Sequence, residues 1–305
     1  MEHAQHDRFH PVTSDDPAWI ETIWFPFFVP EAALTTYARV VFQPNGKCYA
    51  GSVAIWSGAN ALRFEAPFEG RFDTLDALGD LRDLALPGGL ALRCEASAER
   101  YRVHYEHPDC QIDVVFEATT PPEYPPADDS PGMFAGHLDQ HGRVTGSLRV
   151  GGDRYAVDCG SVRDRSWGPR VVKSDLRLGN AHATGDADAF FAYLQQDADG
   201  TECVTGGTLH REGRATRLVR GTRTTRWDGN WPAQVEIEAE DAEGRLLRAS
   251  GNCLNRRAVI ANPELYAVLN LVEWRSDGAL LYGENHDVWS RSAWLAAGRA
   301  PLEPS

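Results

Sequence analysis

The chain has 305 residues, with 44 acidic against 30 basic side chains and a formal net charge of −14. That length accommodates one large domain or two ordinary ones. The acid excess excludes nucleic-acid binding, which draws on phosphate neutralisation by Lys and Arg, and docking on an anionic membrane surface, leaving a neutral or apolar small molecule as the partner.

The first residues, Met1 to Pro11, are polar and lack an apolar signal core, and no run is long enough to span a bilayer as a helix. His3, His6 and His10 read as a flexible tail, because no acid or cysteine is spaced to complete a metal site with them. From Asn45-Gly46 onward, turn dipeptides recur between β-prone runs: Gly151-Gly152, Asp199-Gly200, Glu212-Gly213, Glu243-Gly244 and Asp277-Gly278. Such pairs supply the positive φ values of two-residue hairpins. Phe72 to Leu86 carries Leu75, Leu78, Leu81 and Leu84 and predicts a short helix. Tyr101, Val103 and Tyr105 then alternate with Arg102, His104 and Glu106, the pattern of a strand with one buried face and one solvent-facing charge row.

Pro121 to Pro131 reads as an exposed loop, and strands resume after it with a hairpin from Gly146–Val150 and Tyr155–Cys159. The rhythm breaks at Pro169 to Asn180, which places the domain boundary between 1–170 and 171–305. In the second half Val235, Ile237 and Ala239 oppose Glu236, Glu238 and Glu240 as on a half-buried strand, and Ser290 to Ala297 predicts a C-terminal helix. Each half reads as a set of antiparallel hairpins, an all-β barrel or sandwich without βαβ crossovers. A short echo links them: Gly160 is followed four residues later by Asp164 and then Trp167, and Gly283 by Asp287 and then Trp289. Six scattered cysteines read as free thiols of a cytoplasmic protein, with two disulfides in a secreted form as the alternative. No phosphate loop and no Gly-x-Ser-x-Gly elbow occurs, so no cofactor is expected and an α/β-hydrolase is excluded.

The run Asp164-Arg165-Ser166-Trp167-Gly168 resembles the Asp-x-x-Trp-Gly signature of the AttH-like and carotenoid 1,2-hydratase-like superfamily, and Gly283 to Trp289 resembles the last strand of that group. A close variant in related bacterial proteins carries His where Arg165 stands. The resemblance implies two tandem lipocalin-like (calycin) antiparallel barrels with few short helices. It also implies a hydrophobic, terpenoid- or steroid-like substrate enclosed in a pocket between the barrels. The reaction it implies is that of a lyase or isomerase: a hydratase, dehydratase or cyclase working by acid–base catalysis. A non-catalytic carrier of an apolar ligand is the alternative, since calycin barrels mainly bind.

Three residues are candidates for acid–base work: Asp164, and Glu284 with His286, which share one face of a strand. Asp164 stands among Arg163, Arg165 and Arg170, so a structural ion pair is the competing reading. Trp167, Tyr193, Tyr266, Trp289 and Arg170 are the candidate substrate contacts, with His182 and Glu273 as lesser candidates. Trp289 continues the Asn285 and Asp287 face, so its direction decides which way Glu284 and His286 point.

Overall fold

A computed structural model describes residues 3–58, 61–125 and 134–303. The chain divides into two units, Met1–Trp56 with Leu62–Val171 and Ser57–Ala61 with Val172–Ser305. Each is an antiparallel β-barrel of the lipocalin-like kind, the first a half-barrel and the second closed.

The first unit contains β1 (Trp19–Val29), β2 (Leu34–Gln43), β3 (Cys48–Ser57), β4 (Ala61–Arg71), β5 (Leu84–Ala85), β6 (Leu90–Ala96), β7 (Arg100–His107), β8 (Cys110–Ala118), β9 (Gly136–Val150) and β10 (Asp153–Pro169). They form one sheet in the order β4-β3-β2-β1-β10-β9-β8-β7-β6-β5. Neighbours in space are neighbours in sequence except where β1 pairs with β10, in a register that sets Trp24 opposite Asp164. On the inner face Phe25 meets Tyr101 and Phe116 with ring centroids 5.9 and 6.0 Å apart. The odd-numbered residues of β10 share that face, because Cys159 stands opposite Val144 and Val144 opposite Phe116. Asp164 and Ser166 therefore face the other way, out of the core.

The N-terminal segment is not a free tail. His10 stacks on Trp167 at 3.5 Å between ring centroids, and Asp7, 2% exposed, accepts the Tyr101 hydroxyl at 2.6 Å. Arg165 pairs with the fully buried Glu21 and donates to the carbonyls of His6 and Arg8. The histidines expected as a flexible tail are thus held by ring stacking and by backbone carbonyls that accept from a buried guanidinium. Phe72 to Leu86 also departs from expectation: it forms a single 3-10 turn, Leu75–Leu78, and then β5. Its leucines recur every three residues, the period of a 3-10 turn, and Gly79 at φ 71° ends it. Of the predicted loop, Glu123 bridges to Asp139 on β9, and residues 126–133 lie outside the described set.

The second unit contains β11 (Arg177–Thr184), β12 (Ala189–Gln196), β13 (Glu202–Arg211), β14 (Arg214–Asp228), β15 (Trp231–Asp241), β16 (Leu246–Cys253), β17 (Arg257–Asn262), β18 (Leu265–Ser276), β19 (Ala279–Ser290) and helix α1 (Arg291–Ala296). The order is β16-β15-β14-β13-β12-β11-β19-β18-β17, and a further β16–β18 pairing closes eight of these strands on themselves. Closure removes the free edges that an open sheet exposes. Glu212 and Gly213, at φ 54° and 72°, turn one hairpin, and Asp277 and Gly278, at 46° and 88°, turn another, as a type I′ geometry requires. Ser290 caps α1 by accepting the Ala293 amide at 3.2 Å.

The barrel interior holds an aliphatic cluster around Phe190, Val235, Ile237 and Trp274, and an aromatic one around Tyr266, Trp289 and Trp294. Between them Arg223 donates to Glu202 at 2.9 Å, to Asn285 at 3.1 Å and to Asp287 at 2.6 Å. Burying a carboxylate without a counter-charge is costly. Replacing Arg223 with Leu strands two of them, so the second unit is expected to lose about 3–5 kcal/mol, read as a lowered urea midpoint. An unchanged midpoint would remove Arg223 from the account of stability.

Candidate active site

Two constellations of acid and base emerge, one in each unit, and both lie on the sheet face turned away from the apolar core. In the second unit Trp289 and Asp287 point inward, so the alternate residues Glu284 and His286 point outward. Both are nevertheless enclosed: the Glu284 side chain is 0% exposed and that of His286 12%. His182 on β11 completes the group. Its Nε2 lies 3.5 Å from one oxygen of Glu284, and His286 Nε2 lies 3.4 Å from the other. Phe191, opposite His182 on β12, stacks on its ring at 5.7 Å, and Tyr193 lies 4.9 Å beyond.

Burial by itself would raise the pKa of Glu284. The field of His286 and the closeness of both imidazoles outweigh it and bring the value from 4.5 down to about 2. Glu284 is therefore ionised throughout the working range and cannot serve as a proton donor. The carboxylate sits between two imidazoles, and the Nδ1 of His182 is buried without a hydrogen-bond partner among the described residues.

In the first unit Asp164 stands opposite Asp139 on β9, and His137, two residues before Asp139, shares their face. His137 Nε2 is 2.9 Å from Asp139 and 3.5 Å from Asp164. Burial works to lower the pKa of His137, but the two carboxylates prevail and raise it. Phe134 stacks on the imidazole at 4.7 Å between centroids. Arg170, close enough for Asp164 to oppose the lowering of its pKa by burial to about 10, donates to Ser166 and lies over Phe134 at 4.7 Å.

The donor atoms of His137, Asp139 and Asp164 fall within 4.8 Å of one another, a set able to hold a divalent ion. Arg39 and Arg170 both interact electrostatically with Asp164, so positive charge is already supplied by side chains and a second cation would be repelled.

The sequence candidates distribute unevenly. Glu284 and His286 come together, with Tyr193 in the row beside them, since Asn180 pairs with both Tyr193 and His286. Tyr266 and Trp289 are core residues, 4% and 1% exposed, packed against Trp294 on the inner face. Trp167 and Asp164 lie on opposite faces of β10, so Trp167 offers no aromatic surface to that carboxylate. Arg165 is likewise internal, on the face opposite Asp164. The echo between the halves does not place equivalent groups: Asp164 faces outward and Asp287 inward. His137, Asp139 and Arg39 escaped the sequence reading. Only a long-range pairing register could have found them.

The matched family is a domain of unknown function (DUF7064), whose pattern covers residues 3–286, and the chain belongs to it. Among solved structures, an AttH protein from Nitrosomonas europaea aligns over 91% of this chain and 94% of its own, with 14% identity and a TM-score of 0.62. Kievitone hydratase from Nectria haematococca aligns over 93% and 94%, with 10% identity and a TM-score of 0.59. Identities this low establish a shared AttH-like, hydratase-like fold and nothing finer. No functionally curated protein matches the sequence. Among the described residues no helix is long and apolar enough to cross a membrane.

The electrostatics of Glu284 give a signed expectation. A carboxylate with a depressed folded pKa contributes stability above its unfolded pKa and loses it as pH falls towards the folded value. Between about pH 5 and pH 2 wild type should therefore lose on the order of 3 kcal/mol more than Glu284→Gln. Urea titrations across that range measure it. A pH-independent difference between the two proteins would contradict an ionised Glu284.

Proposed function

We propose that the protein is a cofactor-independent hydro-lyase or isomerase acting on a hydrophobic, terpenoid- or steroid-like molecule, with His286 and His182 as its acid–base pair and Glu284 as their anchor. The observation that carries this reading is the fully buried Glu284 carboxylate held between two imidazoles, 3.5 and 3.4 Å away. A structural ion pair has no need of two titratable partners. A proton relay does, because one imidazole can give a proton while the other keeps the carboxylate neutralised. The hydratase-like fold supports the class, and Tyr193 and Phe191 beside the imidazoles offer apolar contact to the substrate.

An imidazolium is a mild acid, ill-suited to an isolated alkene. It suits the departure of a hydroxyl from an activated carbon and, in reverse, delivery of water to a conjugated double bond. In the dehydration direction one imidazole takes the proton from carbon and the other gives its proton to the leaving hydroxyl. One water leaves, and Glu284 stabilises the charge throughout. Asp164 with His137 is the second acid–base pair, and Arg170 contacts the substrate there. The six free cysteines fit a reducing, cytoplasmic setting.

Incubation with a panel of hydroxylated and unsaturated terpenoids and steroids, followed by mass spectrometry, reads the gain or loss of one water. His286→Asn is expected to lower turnover about 100- to 10,000-fold, with substrate binding retained. Full turnover in that variant would overturn the assignment. Saturable quenching of tryptophan fluorescence by these compounds without conversion of any would point to a carrier instead.

A further inference from the structure

Arg163 is a buried charge that neither acid–base constellation uses. It is 1% exposed, on the inner face of β10. Its Nε donates to Gln140 at 2.7 Å, and its guanidinium lies over the Tyr101 ring, 4.2 Å from the centroid. Among the described residues its Nη1 meets no acceptor, and no carboxylate stands at ion-pair distance from it. Arg165, two residues on and on the same face, shows the ordinary arrangement, paired with Glu21. A buried guanidinium short of acceptors gains from any anion that reaches it.

An anion already occupies the adjoining ground, and it comes from the segment before β1. The 3-10 turn Ala4–Asp7 lays the Asp7 carboxylate in a cradle of hydroxyls. Tyr101 donates to one oxygen at 2.6 Å, Ser97 donates to the other, and Cys94 Sγ lies 3.5 Å from the latter. Tyr101 thus serves both charges, with its hydroxyl on Asp7 and its ring beneath Arg163. Asp7 takes the hydroxyls and stops short of the guanidinium. The strap that carries it belongs to neither sheet. Side chains tie it down: Phe9 meets Phe42 at 4.8 Å, His6 Nδ1 lies 2.8 Å from His10 Nε2, and His10 lies 2.8 Å from Glu21. It can therefore lift without breaking a strand ladder.

We propose that Asp7 is a built-in stand-in for the carboxylate of an apolar ligand, which enters the cradle of Tyr101, Ser97 and Arg163 when the strap lifts. A ligand free of the backbone can meet Arg163 as well as the two hydroxyls, which Asp7 does not. Phe25 and Phe116, 5.9 and 6.4 Å from Tyr101 between centroids, offer its apolar body a wall. This site stands in the first unit and does not depend on the acid–base reading of Glu284.

Calorimetric titration of the whole protein with octanoate and with methyl octanoate tests it, since the two probes share the chain and differ in the anion. Asp7→Ala removes the competitor and is expected to bind octanoate about 10- to 100-fold more tightly than wild type does, and more tightly than it binds the ester. Adding Arg163→Gln to that variant should erase the preference for the acid, and Arg163→Lys should restore part of it. In wild type, saturating octanoate should speed tryptic cleavage after Arg8 about 10-fold as the strap lifts, whereas the ester should not. This last arm needs no substitution and stands even where Asp7→Ala fails to fold. Equal affinity of Asp7→Ala for acid and ester, an acid preference that survives Arg163→Gln, or a strap that keeps its protection at saturating octanoate would each overturn the proposal.

Discussion

A carboxylate removed from water must be met by donors or by a cation, and the placement of buried acids in this chain follows that rule on both faces of its sheets. On the inner faces arginine is the permanent partner. Glu21 meets Arg165, with His10 beside it at 2.8 Å, and Glu202 and Asp287 meet Arg223. On the outward faces the partner is histidine. Asp139 and Asp164 meet His137, and Glu284 meets His182 and His286. Arginine keeps its proton at any working pH and histidine exchanges one near neutrality. Arginine pairs therefore hold each barrel from inside, and the two outward clusters are built on histidine. The strand pleat performs this sorting, since one step along the chain moves a residue from one regime to the other.

The legible part of the fold was the part written in short-range pattern. Tyr101, Val103 and Tyr105 are buried, and the charged residues between them pair across the outer surface, Arg102 with Asp113 and Glu95. The Glu212-Gly213 and Asp277-Gly278 turns carry the positive φ values that their composition implies. The Phe72 to Leu86 stretch misled because leucines every third residue imitate one stripe of a helix, and only Gly79 with the adjoining acids marks the break.

The site was legible by parity and illegible by pairing. Alternation correctly grouped Glu284 with His286 and separated them from Asp287 and Trp289. It could not say that His182, a hundred residues earlier, stands beside Glu284, or that His137 and Asp139 close on Asp164. Those meetings depend on strand register, which the whole barrel decides. Trp167 shows the reverse error: three residues from Asp164 in sequence, it looks like a neighbour, yet an odd number of steps puts it through the sheet. Closeness along a strand is a poor guide to company.

The pairing of β1 with β10 has a consequence for how the chain is made. The edge of Trp19 to Trp24 opposite β2 finds its hydrogen-bonding partner only when Asp164 to Pro169 has been synthesised, and the segment around His10 finds Trp167 no sooner. On the ribosome the first strand can pair with β2 at once, but its other edge stays open until more than half the protein has emerged. Such long-range closure is slow, and nascent chains with open strand edges are clients for chaperones. The feature that seats Arg165 and Glu21 so firmly in the finished protein is thus the step on which its assembly is timed.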